Sequence, residues 1–206
     1  MEDDEALFYN PKAPKQVYRR HLPHWSQAGR IYFVTFRLAD SIPAKRAAEL
    51  RDQRQTWRQA HPTPHSVTEQ HEFRMLSSRR IEQWLDQCTG SCLLVDPHCA
   101  QIVVDALTAF DRHRYELDRW VVMPNHIHVL VRPYETHALK AILQTWKSFT
   151  AHAINRHMAR RGQLWQKESF DHIVRSAAQL ERFREYIRSN PEKAGKYAAQ
   201  CRLGPA

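Results

Sequence analysis

No stretch of this 206-residue chain approaches the roughly 20 consecutive apolar residues that a bilayer-spanning helix needs, so no membrane role is expected. A secretory leader is equally unexpected. The chain opens on Glu2, Asp3, Asp4 and Glu5, where such a leader is basic. No lipidation motif stands at either end. Cysteine is scarce: Cys88, Cys92, Cys99 and Cys201 include no Cys-X-X-Cys pair and point to reduced thiols in a cytoplasmic protein. Grouping His98 with Cys88, Cys92 and Cys99 gives metal-binding side chains, but their spacing fits no standard structural zinc site. Internal repeats and low-complexity runs are also missing.

Positive charge is in excess. The 31 Lys and Arg outnumber the 22 Asp and Glu, for a formal charge of +9 and a pI near 9.7. Such a balance favours a polyanionic partner, and without a membrane segment that partner is nucleic acid. The length fits one domain, and 42% hydrophobic residues suffice for a full core.

Residues 1–24 are rich in proline and charge, without period, and are expected to form a basic, aromatic arm ending in Tyr18-Arg19-Arg20-His21. Residues 25–206 are expected to form a single catalytic domain. The β-branched and aromatic run 31–38 predicts a strand. A helical insertion follows over 43–90, broken at His61-Pro62-Thr63-Pro64. Asp96-Pro97 predicts a helix start with Asp96 as N-cap. Two strands, Tyr115 to Met123 and His126 to Arg132, flank a Pro124-Asn125 turn. A long amphipathic helix over 138–160 buries Leu139, Ile142, Leu143, Trp146, Phe149 and Ile154. A short strand over 170–174 and a helix from Ala177 to Asn190, stopped by Pro191, complete the chain. With the insertion set aside, the order is βαββαβ. The expected fold is therefore α+β and ferredoxin-like, an antiparallel sheet with helices on one face and an added C-terminal helix. That fold hosts many functions and decides none.

The chemistry lies in two short segments. On a strand, residues two apart share a face, so His126 and His128 project together while Ile127 and Val129 face the core. Two neutral imidazoles make half of a divalent-metal site; the plainer reading is a histidine pair on a half-exposed strand. On the last helix Tyr186 and Asn190 are four residues apart and share a face. Asn190 offers a carbonyl oxygen as third ligand, and Tyr186 a hydroxyl nucleophile. Here the plainer reading is a core tyrosine and a helix-capping asparagine. Taken together, His, His and Asn leave positions open for phosphate oxygens, and the tyrosine would form a covalent phosphotyrosine whose energy permits rejoining. A water nucleophile would make a hydrolase instead, and loss of catalysis would leave a DNA-binding module.

Several motifs carry a resemblance. The segment MPNHIHVLV at 123–131, Trp146-Lys147-Ser148-Phe149-Thr150, Leu164-Trp165-Gln166, Phe170-Asp171-His172-Ile173-Val174-Arg175 and Tyr186-Ile187-Arg188-Ser189-Asn190-Pro191 resemble the REP-associated tyrosine transposases. Tyr18-Arg19-Arg20-His21-Leu22-Pro23 and the strand at 31–38 also fit, so the likeness runs from about Tyr18 to Gly195. These proteins lie within the single-tyrosine, His-hydrophobic-His insertion-sequence transposases. The resemblance implies nicking and rejoining of single-stranded or hairpin DNA at repetitive extragenic palindromes through a 5′-phosphotyrosine. By position it implies His126, His128 and Asn190 as ligands of Mg2+ or Mn2+, Tyr186 as nucleophile, and a monomer more often than a dimer. The 43–90 insertion is longer than in the smallest members.

Single-strand binders combine a positive groove with stacking platforms. The expected DNA contacts are Tyr18, Arg19, Arg20, Arg37, Lys147, Trp165, Lys167, Arg175 and Arg188, with Lys147 expected nearest the scissile phosphate.

Overall fold

Alternation decides the centre of the fold. In the computed structural model, which describes residues 6–14, 16–19, 23–61, 69, 73 and 80–204, strand β3 (Tyr32–Arg37) turns Tyr32, Val34 and Phe36 into one core. Ile31 and Phe33 enter another. Before it, β1 (Gln16–Arg19) and β2 (Pro23–Ser26) pair as a separate antiparallel hairpin. Helix α1 (Ala44–Ala60) follows, with Leu50 its one buried residue, and residues 80–86 are again helical. The remainder runs α2 (Pro97–Thr108), β4 (Tyr115–Val122), β5 (His126–Pro133), α3 (Leu139–His157), β6 (Phe170–Ile173), α4 (Ala177–Lys193) and β7 (Arg202–Leu203).

Five strands form one sheet in the order β6-β3-β5-β4-β7, with every pairing antiparallel. The first four positions are the ferredoxin-like order that the element sequence predicts. Asp96 caps α2 by accepting from the Cys99 amide at 2.9 Å, and Pro97 takes the first helical position. The Pro124-Asn125 turn closes the β4–β5 hairpin, with Met123 N donating to His126 O at 2.8 Å.

Three points refine the expected fold. First, the two βαββαβ helices lie on one face of the sheet, as expected, and the added C-terminal helix covers the other. Helices α2 and α3 close over Tyr32, Val34, Phe36, Ile127, Val129 and Val131, while α4 lays Leu180, Phe183 and Ile187 against Phe33, Val121 and Leu130 on the reverse. The alternation of β5 therefore puts Ile127, Val129 and Val131 on one side and His126, His128 and Leu130 on the other, all six buried. Second, α4 passes through Pro191 to Lys193. One turn from a helix end, proline's missing N–H forfeits only the bond to the Ile187 carbonyl. Third, Phe149 does not join Trp146 in the core: Trp146 is buried and donates to the Tyr115 hydroxyl at 3.0 Å, whereas Phe149 is 56% exposed. The segment expected to be an arm is partly packed. Phe8 is buried, Leu7 O accepts from Ile31 N at 2.9 Å, and Tyr9 N donates to Val174 O at 2.8 Å. No helix among the described residues is long and apolar enough to cross a membrane.

Two devices fix the parts that matter below. Strand β4 shifts register between Leu117 and Trp120, and within that bulge Asp118 takes a forked hydrogen bond from Arg184 of α4 at 2.5 to 3.1 Å. The end of the insertion folds back through Thr89-Gly90-Ser91. Thr89 Oγ1 donates to Ser41 O at 2.6 Å and Ser91 N to Asp40 Oδ2 at 2.9 Å. Gly90, at φ +91°, sits so close that a Cβ would lie 2.5 Å from the Asp40 carbonyl oxygen. Gly90→Ala is predicted to lower unfolding free energy by about 1–3 kcal/mol, read from the urea midpoint; an unchanged midpoint would show that the turn relaxes freely.

Candidate active site

Strand β5 is the middle of the sheet, so its α4-facing side chains are sealed on all sides. His126 and His128 are 0% and 1% exposed, not half-exposed. Their rings cross at 78°, and their Nε2 atoms stand 3.0 Å apart. Burial, helped by the positive charges of Lys193 and Arg37, pushes His126 down to about 3. Burial, then His126 and Lys193, holds His128 well below its ordinary value. Both imidazoles are thus neutral near pH 7, the form that binds metal.

Hydrogen bonds fix where the protons sit. Asn125 Nδ2 donates to Thr89 O at 3.0 Å, so Asn125 Oδ1 accepts from His126 Nδ1 at 2.7 Å and leaves His126 Nε2 a lone pair. That lone pair accepts from His128 Nε2–H, and His128 Nδ1 accepts from Thr35 Oγ1 at 2.7 Å. The threonine hydroxyl both donates and accepts. Rotating it lets His128 carry its proton on Nδ1 and free Nε2, still uncharged. Thr35 reaches this place because it pairs with His128 across β3 and β5.

Helix α4 completes the site. Tyr186 Oη lies 3.5 Å from His128 Nε2, with the two rings edge-on at 72°. Burial comes first in pushing the phenol pKa far up; the carboxylates of Glu82 and Asp86 add to it, and a hydrogen bond with Asn190 opposes it. Asn190 is 0% exposed; its Nδ2 donates to Tyr186 O at 3.2 Å, and its Oδ1 is buried with no hydrogen-bond partner among the described residues. An orphaned carbonyl of that kind costs about 1–3 kcal/mol. Two facing imidazole nitrogens and one unsatisfied oxygen fit a divalent cation that accepts mixed N and O ligands, as Mn2+ and Mg2+ do.

The structure brings His126, His128, Tyr186 and Asn190 together within one chain. The expected DNA contacts scatter. Arg37 pairs with His126 in register, donates to Ser41 Oγ at 3.0 Å, and is lowered to about 10 by burial and by Arg54. Arg188 is exposed beside Glu185, Arg175 is exposed over the Tyr9 ring, and Lys167 is exposed. Lys147 points into the 166–169 loop, giving its ammonium to Gln166 O, Lys167 O and Ser169 Oγ at 2.6, 3.0 and 3.4 Å. It lies on α3, across the sheet from the histidines. Trp165 is no stacking platform: it is 4% exposed, edge-on to Phe36, and donates to Thr150 Oγ1 at 2.8 Å. Tyr18 and Arg19 fall on β1, and Arg20 lies outside the described residues.

Four groups escape a reading of the sequence. Lys193 holds its Nζ 4.1 Å from the Tyr186 ring centroid. It is two turns after Tyr186, a spacing visible in sequence once α4 is allowed through Pro191. Thr35 and Asn125 are found only through strand pairing and the turn. Asp86, whose Oδ1 is buried without a partner among the described residues, comes from the insertion.

Residues 95–190, a span holding both histidines, Tyr186 and Asn190, match the family described as transposase, IS200 like. Over this span the chain is similar to the IS200-like transposases. Among solved structures it is similar to a REP-associated tyrosine transposase bound to a REP hairpin, at 17% identity over 86% of this chain and 73% of that one, with a TM-score of 0.43. It is also similar to a candidate transposase from Deinococcus radiodurans R1, at 12% identity over 88% and 95%, with a TM-score of 0.32. No curated protein matches the chain significantly.

Thr35→Val removes the hydroxyl that would hold the His128 proton on Nδ1 and free Nε2 for a metal. It is predicted to weaken Mn2+ binding about 10–100-fold, followed by electron paramagnetic resonance, with the thermal midpoint as a check on folding. Unchanged affinity would show that the hydroxyl plays no part in presenting His128.

Proposed function

We propose that this protein is a transposase that nicks and rejoins single-stranded DNA beside palindromic hairpins, using Tyr186 as nucleophile at a divalent-metal site of His126, His128 and Asn190. The observation that carries the reading is the Tyr186 hydroxyl 3.5 Å from His128 Nε2 in the same chain, next to the orphaned Asn190 oxygen. The REP-like motifs and the +9 charge support hairpin DNA as partner. A cation bound there supplies Lewis-acid polarisation of the scissile phosphate.

The chain's own groups do the rest. Burial keeps Tyr186 a neutral phenol until a phosphate arrives, which suppresses stray reactivity. The Lys193 ammonium over the Tyr186 ring offers positive charge to the incoming phosphate. As Tyr186 Oη bonds to phosphorus, the P–O3′ bond breaks, and the phenol proton is balanced by the one gained at the released 3′-hydroxyl. The 5′-phosphotyrosine retains the phosphodiester's energy, so a 3′-hydroxyl can reverse the step and join strands. Because one chain supplies all four groups, a monomer suffices. Tyr18, Arg19 and Arg20 would meet the hairpin foot, and Arg37 and Arg188 the backbone. Action on genomic repeats places the protein in the bacterial cytoplasm, on the nucleoid when bound. On this reading residues 25–206 are one catalytic domain carrying the 43–90 insertion.

Labelled hairpin DNA with a single-stranded flank, incubated with Mn2+, is expected to give a denaturant-resistant protein–DNA adduct. Tyr186→Phe should abolish it, and His126→Ala should reduce it at least about 100-fold. Cleavage without an adduct would assign the attack to water, and binding without cleavage would make the protein a DNA-binding module.

A further inference from the structure

The four cysteines and His98 do not form one cluster. Cys92 Sγ donates to Cys88 O at 2.9 Å, and Cys201 Sγ lies 3.7 Å from Met123 Sδ. Cys99 has other company. It occupies the third position of α2, fully buried, and its sulfur, an Asp96 carboxylate oxygen and a His157 ring nitrogen all lie within 4.8 Å of one another. His157 is the last residue of α3. Three chemically different ligand types thus converge where the start of α2 meets the end of α3, on the opposite face of the sheet from His126 and His128.

We propose that Asp96, Cys99 and His157 form a second metal site, of the thiolate–imidazole–carboxylate kind that suits zinc. Capping alone explains little of the cluster. It uses one Asp96 oxygen on the Cys99 amide at 2.9 Å; the Cys99 thiol also hydrogen-bonds the Asp96 carboxylate, and nothing in capping calls for an imidazole. His157 Nε2 stands 3.5 Å from Asp96 Oδ1, long for a hydrogen bond. It is close to the edge of a tetrahedron with metal bonds of about 2.0–2.1 Å to nitrogen and oxygen, roughly 3.4 Å. The sulfur lies within 4.8 Å of both, against a corresponding edge of about 3.6 Å, so it would have to move inward on binding. Burial and the neighbouring Asp96 carboxylate push the Cys99 thiol up to about 12, so an ion binding there would displace the thiol proton.

Asp96 and His157 are each more than a third exposed, so an ion can enter and a further ligand can join. The His98 ring, 4.3 Å from that of His157, is placed to be that ligand. Softness separates the two sites. Sulfur with imidazole selects zinc, whereas two imidazoles with an amide oxygen leave the other site to harder cations. A bound ion would tie the α2 start to the α3 end and stiffen the helical layer behind the sheet.

Co2+ added to the metal-stripped, tag-free full chain tests this directly. A thiolate-to-cobalt charge-transfer band, with the visible bands of tetrahedral Co2+, is expected in the wild type and in His126→Ala/His128→Ala. Cys99→Ser should lose the band, and stoichiometric zinc should bleach it in the wild type. His157→Gln, at an exposed position and so safe for folding, should weaken zinc competition more than about tenfold. It decides the matter alone should Cys99→Ser unfold. Absence of the band in the wild type, full zinc affinity in His157→Gln, or loss of the band with the His126/His128 pair would overturn the proposal.

Discussion

Two imidazoles sealed side by side between a sheet and a helix need a partner for every nitrogen, and this requirement organises the molecule. Thr35, Asn125 and, through Asn125, the Thr89 carbonyl fill it on the protein side. What remains is the pair of Nε2 atoms facing each other at 3.0 Å and the unsatisfied Asn190 oxygen nearby. A core strand would be better served by two apolar side chains, since burying polar groups costs free energy unless they are fully paired. The site is an exception to core packing in the place where chemistry would want one.

The rest of the fold reads as support for that exception. Arg184 forked onto Asp118 in the β4 bulge holds α4 against the sheet two residues before Tyr186. Phe33 stacks on Phe183 at 4.3 Å and lies against both the His128 and Tyr186 rings, which fixes the plane of each. The insertion contributes at both levels. Its closing turn presents Thr89 O to Asn125, and its helical segment over 80–86 brings Glu82 and Asp86 within electrostatic reach of Tyr186. The insertion therefore has a physical counterpart at the site.

The legible parts of the sequence were those with a strong period or a stiff local rule. The alternation at 31–38 and 126–132, the Asp96-Pro97 start of α2 and the Tyr186/Asn190 spacing all appear as expected. Less legible was anything decided by what packs opposite. The reverse face of β5 mixes His126, His128, Leu130 and Arg132, a pattern that alternation alone could not read as covered by α4. Phe149 and Trp165 have similar aromatic character, yet one faces solvent and the other lies in the core. Lys147 looks like a phosphate ligand by type and instead closes the 166–169 loop. Pro191 obeys a rule that holds in helix interiors and relaxes in the last turn, and that misreading hid Lys193.

The central claim is that one chain alone assembles His126, His128, Asn190 and Tyr186 around a divalent cation. A crystal structure grown with Mn2+ and read by its anomalous scattering tests it most directly. The account predicts a peak bonded to His126 Nε2, His128 Nε2 and Asn190 Oδ1, with Tyr186 of the same chain beside it. A site empty at saturating Mn2+, or one completed by a tyrosine from a second chain, would contradict it.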